Sequence, residues 1–195
     1  MELPIELRNA IEERLQNVEF KQLQKDAENI SLRYRNESGN GKRLLTENTE
    51  AVSYSVVRMP ATYSAIYSSL SNTLDIFNGE INSLLDVGAG TGAGSWAASN
   101  LIELKHITCL EREDAMMNLG KSLMLDAGDY CLVNAEWKKF DLVNNEINEC
   151  ADLVICSYVL NEMDEVTRNK IVDKLWQATK KVLLIVEPGT PVRIW

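Results

Sequence analysis

The segment Leu84-Leu-Asp-Val-Gly-Ala-Gly-Thr-Gly-Ala-Gly94 constrains this chain more than any other. An apolar run ends in glycines at positions 88, 90, 92 and 94, and a helical pattern follows. Glycine lets a backbone turn sharply and lets a ligand come close to the main chain. The helix start behind such a turn offers unpaired N–H groups to an anionic or polar group. Strand, glycine turn and helix in succession open a parallel α/β sheet, with Gly88, Ala89, Gly90 and Gly92 as the candidate ligand cradle.

The remaining pattern agrees with that opening. Strand-like apolar runs stand at Ser83–Val87, Ile107–Glu111, Tyr130–Ala135, Leu153–Ser157 and Val182–Val186. Helical segments at Gly92–Leu104, Asp114–Ala127 and Glu165–Thr179 alternate with them, while the Glu136–Ala151 connection is mixed. Strand alternating with helix predicts right-handed crossovers and a doubly wound, Rossmann-like parallel sheet. Runs this apolar fit strands covered on both faces. Earlier residues read instead as helical, with Pro4 in a first turn and further segments at Glu19–Tyr34, Asn48–Arg58 and Pro60–Phe77. The expected organisation is an N-terminal helical region, 1–79, and an α/β domain, 80–195.

Two acids sharpen the reading of the turn. Asp86 sits two residues before the first glycine, and a carboxylate at the end of an apolar strand is costly unless something pairs with it. The methionyl ammonium of S-adenosylmethionine (SAM) would do so, directly or through water. Glu111 ends the next strand about 20 residues beyond the turn, where it is placed to accept ribose hydroxyls. Gly88-x-Gly90-x-x-Ala93 also satisfies a dinucleotide fingerprint, so an NAD-binding oxidoreductase is an alternative; Asp86 together with Glu111 favours SAM. Asn134 and Ala135, at the expected end of the third strand, are candidates for the adenine edge or a simple strand-end cap. Ser157 should line the space beside the transferable methyl group. Tyr158, Asn161 and Glu162 follow as candidates to orient or deprotonate an acceptor, although Glu162 equally fits an early-turn acid of the next helix. Glu187 is a further rim candidate. Arg58, before Pro60, either reaches a carboxylate or phosphate above the turn or simply ends a helix.

Composition removes other chemistries. His106 is the only histidine, which excludes a histidine pair or a histidine-based triad. Cys109, Cys131, Cys150 and Cys156 contain no C-x-x-C pair, so no metal site is expected from them. A net charge of −9 disfavours gripping nucleic acid over the whole surface. One basic stretch, Arg33, Arg35, Lys42 and Arg43 with Tyr34 interleaved, fits RNA phosphates and a stacked base, or a solvated loop. No apolar run approaches the roughly 20 residues of a membrane span. The Glu-rich N-terminus lacks a signal h-region and the acid-poor character of a transit peptide, so the expected address is cytoplasmic.

Asp-x-Gly-x-Gly-x-Gly followed by the strand-end acid resembles the class I SAM-dependent methyltransferases. Three further segments narrow the resemblance: Arg58-Met-Pro-Ala-Thr-Tyr63, Ser157-Tyr-Val-Leu-Asn-Glu162 and Val186-Glu-Pro-Gly-Thr-Pro191. Together they are similar to the methyltransferase-like proteins associated with the small ribosomal subunit of bacteria and mitochondria, over most of the chain from about Arg33 onward. That resemblance implies strand order 3-2-1-4-5, SAM as cofactor, and methylation of small-subunit ribosomal RNA or a non-catalytic role in subunit assembly. It also implies a sheet with two further strands and a cysteine-bearing region that can hold an iron–sulfur cluster. Because the chain ends at Trp195, the expectation is a sheet without its terminal strands and a fifth-strand edge open to self-association.

Overall fold

The computed structural model describes residues 2–16, 19, 21–23, 25–26, 28 and 48–189. Most of the expected helix Glu19–Tyr34 and the basic stretch Arg33, Arg35, Lys42 and Arg43 lie outside the described residues. Ahead of the sheet lie α1 (Ile5–Leu15), α2 (Asn48–Val57) and α3 (Met59–Leu74). Pro4 is the residue just before α1, and Pro60 occupies the first turn of α3, where its missing N–H costs nothing. The α/β part then runs β1 (Ser83–Val87), α4 (Ala93–Ser99), β2 (His106–Glu111), α5 (Asp114–Met124), α6 (Tyr130–Val133), β3 (Glu136–Lys139), β4 (Ala151–Ser157), a 3₁₀ turn (Leu160–Glu162), α7 (Glu165–Ala178) and β5 (Thr179–Val186).

All neighbouring strands are parallel, in the order β3-β2-β1-β4-β5. Side chains alternate across them. Leu84, Ile107, Leu153 and Ile155 join the core beneath the N-terminal helices, α4 and α5, while Leu85, Val87, Leu110 and Val154 pack against α7 on the other face. The helical segment before residue 79 thus shares one core with the sheet: Leu7, Met59, Tyr63, Ile66 and Leu70 are all buried in it. No helix among the described residues is long and apolar enough to cross a membrane.

The third strand is not where its apolar run suggested. Tyr130–Val133 is a short helix, because Asp129 accepts hydrogen bonds from the amides of Cys131 (2.7 Å) and Leu132 (3.0 Å) and caps it. The strand is the next four residues, Glu136–Lys139, a polar stretch at the edge of the sheet. Its register pairs Cys109 with Trp137. The Trp137 ring lies between the glycine turn, at Gly92, and Gly120 of α5.

Gly120 is therefore a packing glycine. A methyl group there would run into the Trp137 ring and stand 3.2 Å from the carbonyl carbon of Thr91. Overpacking a filled core typically costs about 1–3 kcal/mol. Gly120→Ala should lower the urea midpoint by a corresponding amount. An unchanged midpoint would show that Trp137 does not hold the turn from behind.

Candidate active site

The site is built on the turn after β1. Gly88, Gly90 and Gly92 have φ of 68°, 58° and 89°, a region that L side chains rarely adopt, which accounts for glycine at alternate positions. The amides of Gly88 and Ala89 both donate to the Leu110 carbonyl, at 2.8 and 3.0 Å, pinning the turn to the β2 tip. Gly94 serves differently: its α-carbon lies so close to the Asp86 carboxylate that a β-carbon would stand 2.8 Å from both oxygens.

Asp86 is buried, at 1% exposure. Its Oδ2 accepts hydrogen bonds from the backbone N–H and the hydroxyl of Ser95, both at 2.8 Å. The carboxylate thus satisfies one of the orphan amides in the first turn of α4. Burial pushes its pKa up to about 6, with the Ser95 bonds opposing and nearby Glu111 adding to the rise. Such a group is poised to gain from a cation. Beneath it, Ser95 Oγ also lies 3.3 Å from Cys109 Sγ.

Glu111 occupies the other side of the turn. Its Oε2 accepts from the Gly90 amide at 2.7 Å, and its Oε1 accepts from the amides of Arg112 and Glu113, each at 2.8 Å. Burial raises its pKa, against those three bonds. A carboxylate offers about four acceptor sites. As placed, Glu111 can accept one more hydroxyl; taking both ribose hydroxyls would require one amide bond to open.

A cleft enclosing about 840 Å³ of space, open solvent included, lies over these tips. Gly88, Gly90, Glu111, Ser157, Tyr158 and Glu162 all line it, so the structure brings these six of the residues singled out in the sequence together. A smaller cavity of about 280 Å³ adjoins it above Ala89 and Thr91. Gly92 shapes the turn without lining either cavity. Arg58 is exposed at the start of α3 and lines neither. Asn134 and Ala135 lie before β3, at the opposite end of the strand from the cleft. There the amide nitrogen of the Asn134 side chain donates to the Tyr130 carbonyl at 2.8 Å, as a helix end would. The true β3 tip delivers Phe140, Asp141, Leu142 and Val143 to the cleft instead.

The sequence reading also missed the roof. Tyr54 of α2 lines both cavities, and Met59 and Thr62 of α3 line the smaller one. Burial drives the Tyr54 phenol up to about 12, and its hydroxyl bonds to Thr62. The Arg58–Tyr63 segment is what lays α3 across the glycine turn. Met59 Sδ accepts from the Thr91 hydroxyl at 3.3 Å, and Asn100 of the α4 end donates to the Tyr63 hydroxyl at 2.7 Å.

Glu187 plays no part in the cleft wall. Its carboxylate accepts from the amides of Val159 (3.1 Å), Leu160 (2.8 Å) and Asn161 (3.3 Å), suspending the turn after β4. Asn161 is exposed on the outside of that turn. Tyr158 adopts φ of 57°, with its amide donating to the Val186 carbonyl at 2.8 Å. A left-handed non-glycine residue costs of order 1–3 kcal/mol, which the surroundings must offset. The segments around Ser157–Glu162 and Val186–Gly189 are therefore one structural unit.

The four cysteines are free, and no cluster of metal-ligating side chains occurs among the described residues. Cys131 belongs to α6 rather than to a strand.

The profile of a family described as "Mitochondrial small ribosomal subunit Rsm22" matches residues 48–194. The human "Ribosome assembly protein METTL17, mitochondrial" is 29% identical over 113 residues, covering 55% of this chain and 24% of the human protein. The chain thus spans about a quarter of the length of the curated relative it matches. Among solved structures, a DhpI–SAM–HEP complex superposes with a TM-score of 0.57 at 21% identity, covering 75% of this chain and 64% of that one. SAM-bound CalS10, an amino pentose methyltransferase from Micromonospora echinaspora, gives 0.56 at 18%, covering 79% and 61%. These structures establish the class I methyltransferase fold. The matches also correct the expected cytoplasmic address, because both the family and the human relative are named as mitochondrial. Compartment is set by a targeting address that the folded part of a chain does not carry.

Raised carboxyls give the site a pH dependence, to which Asp86 and Glu162 contribute. Asp86, up at about 6, and Glu162, held at about 7 chiefly by burial, bind protons more tightly folded than unfolded. Stability from these groups is fully present below their ordinary values and is lost as pH rises through 6 and 7. The unliganded chain should therefore unfold more readily at pH 8 than at pH 5, and Asp86→Asn should flatten the part near 6. A thermal midpoint that rises steadily over this interval would contradict the assignment.

Proposed function

We propose, because the chain belongs to the mitochondrial small ribosomal subunit Rsm22 family, that it is a SAM-dependent methyltransferase acting on small-subunit ribosomal RNA or during small-subunit assembly. The observation that carries this is the cleft itself: a glycine turn between two buried carboxylates, roofed by Tyr54 and Thr62. The amino-acid end of SAM goes to the smaller cavity, near Ala89 and Thr91, where the charge of Asp86 lies beneath the turn. A ribose hydroxyl meets the remaining acceptor site of Glu111. The adenine lies against Leu110, Met116, Phe140 and Leu142, a wall with the apolar character a purine face needs.

When bound, SAM supplies an activated methyl group on a sulfonium. The chain's own residues then position the partners, and positioning alone can supply much of the rate of an in-line displacement. Tyr158 and Glu162 face the cleft beside Ser157 and are the groups that orient an acceptor or take its proton. RNA contact is assigned to Arg33, Arg35, Lys42 and Arg43, since the rest of this acidic chain repels phosphate. The β5 edge, unpaired among the described residues, can add a further strand or a second chain.

A second reading has its own support in the human relative's name, a ribosome assembly protein. In it the fold keeps the cofactor to stabilise a binding surface and transfers no methyl group. Titration calorimetry tests the shared premise: SAM binds this chain more tightly than NAD, and both Asp86→Ala and Glu111→Ala abolish the heat. Absence of SAM binding, or a preference for NAD, defeats both readings. Transfer of labelled methyl from SAM to small-subunit RNA then supports the enzymatic reading, whereas SAM binding without transfer selects the assembly role.

A further inference from the structure

The two cavities share Tyr54, Gly88, Gly90 and Ser157. On the reading of the cleft as a SAM site, the ligand's central atom must cross this shared strip. Its amino-acid end lies on one side and its nucleoside on the other. Glu162 lines the larger cavity from the 3₁₀ turn just past the β4 tip. Its charge acts on the Tyr54 hydroxyl at the strip. Among the described residues, its half-buried carboxylate takes no hydrogen bond or ion pair.

The backbone that carries Glu162 is firmly held. Glu187 suspends the turn by three amides, and Arg168 of α7 donates to the Leu160 and Met163 carbonyls at 3.2 and 3.0 Å. The charged groups around it come from every packed element. Glu111, Arg112 and Glu113 act on it from the β2 tip, Tyr54 from α2 and Glu187 from behind; Asp141 at the β3 tip lines the same cleft, and Arg168 acts on Glu187. Arg112 favours the charged form of Glu162, and its Nε donates to Glu113 at 3.1 Å. A half-buried carboxylate surrounded mainly by acids gains most from a cation that arrives in the cleft.

We propose that Glu162 is the counter-ion for a cationic centre of the bound ligand, so that the cleft selects the sulfonium of SAM over the neutral thioether of S-adenosylhomocysteine (SAH). The inference rests on the SAM reading and adds the means by which substrate and product are told apart. On methyl transfer the acceptor's lone pair bonds the methyl carbon, the carbon–sulfur electron pair returns to sulfur, and the proton displaced from the acceptor passes to water. The sulfur is then uncharged and its attraction to Glu162 ends.

Burial, together with Glu111, Glu187 and Glu113, holds the Glu162 carboxyl up at about 7, with Arg112 opposing. Below that pH the carboxyl is neutral and offers a cation little; above it the attraction is complete. SAM affinity therefore rises with pH relative to SAH. Both ligands carry the same amino-acid groups, so the ratio of their affinities isolates the sulfonium.

Calorimetry of the whole chain with SAM and with SAH, from pH 6 to pH 8, reads that ratio directly. An opposite charge nearby shifts a carboxyl by about 1–3 units, and each unit is a factor of ten. The SAM-to-SAH ratio should rise roughly tenfold across the interval. In Glu162→Gln it should be flat and about tenfold lower at pH 8, with SAH binding showing that the site is intact. A wild-type ratio that does not change with pH overturns the proposal, as does a ratio insensitive to Glu162→Gln. The wild-type profile decides the matter even for a variant that binds neither ligand. Should the wild-type chain bind neither SAM nor SAH, the SAM reading fails and this inference with it; SAH binding with a flat ratio removes only the role of Glu162.

Discussion

A carboxylate withdrawn from water must find donors, and at the tips of β1 and β2 those donors are the amides of the turn and of the chain around it. Asp86 takes the Ser95 amide and hydroxyl; Glu111 takes the amides of Gly90, Arg112 and Glu113. These bonds fix where the glycine turn runs and where α4 begins. Burial nevertheless holds both acids above their ordinary pKa, against these bonds. Glu111 lines the cleft in that condition, as is characteristic of ligand sites, while Asp86 lies buried beneath the turn.

The other specific segments act by holding the turn from three sides. Met59 and Tyr63 bring α3 down from above, through Thr91 and Asn100. Trp137 supports the turn from behind, in a space kept open by Gly92 and Gly120. Val159 packs against the α-carbon of Gly88, from a turn that Glu187 suspends. Residues distant in sequence thus converge on a few backbone atoms. Their side chains set geometry that a ligand reads through the main chain.

Much of this was legible from residues alone, for stated reasons. Strands at 83–87, 107–111 and 153–157 are apolar runs covered on both faces, and 182–186 is an apolar run at the sheet edge that leaves Ile185 exposed. The glycine spacing announced the sharp turn because L side chains rarely adopt those φ values. The third strand was misplaced because Tyr130–Val133 is apolar for a helical reason, its contact with α5 and β2, while the real strand is an edge with two lysines. That error put Asn134 and Ala135 at the expected strand tip, where the structure has Phe140–Val143 instead. The cap at Asp129, followed by a four-residue apolar run, was the available signal. Tyr54 and Thr62 could not be read in advance, since their approach to the turn depends on how α2 and α3 cross the sheet. The basic stretch at Arg33–Arg43 lies outside the described residues, and the compartment was never a property of the folded part.

The most direct test of the central claim is a crystal structure of this chain grown with saturating SAM. The account requires adenosine between Glu111 and the Phe140–Val143 wall, with the methionyl end beneath Tyr54 and Thr62. An empty cleft at saturation, or SAM bound at the Asn134 end of β3, would contradict it.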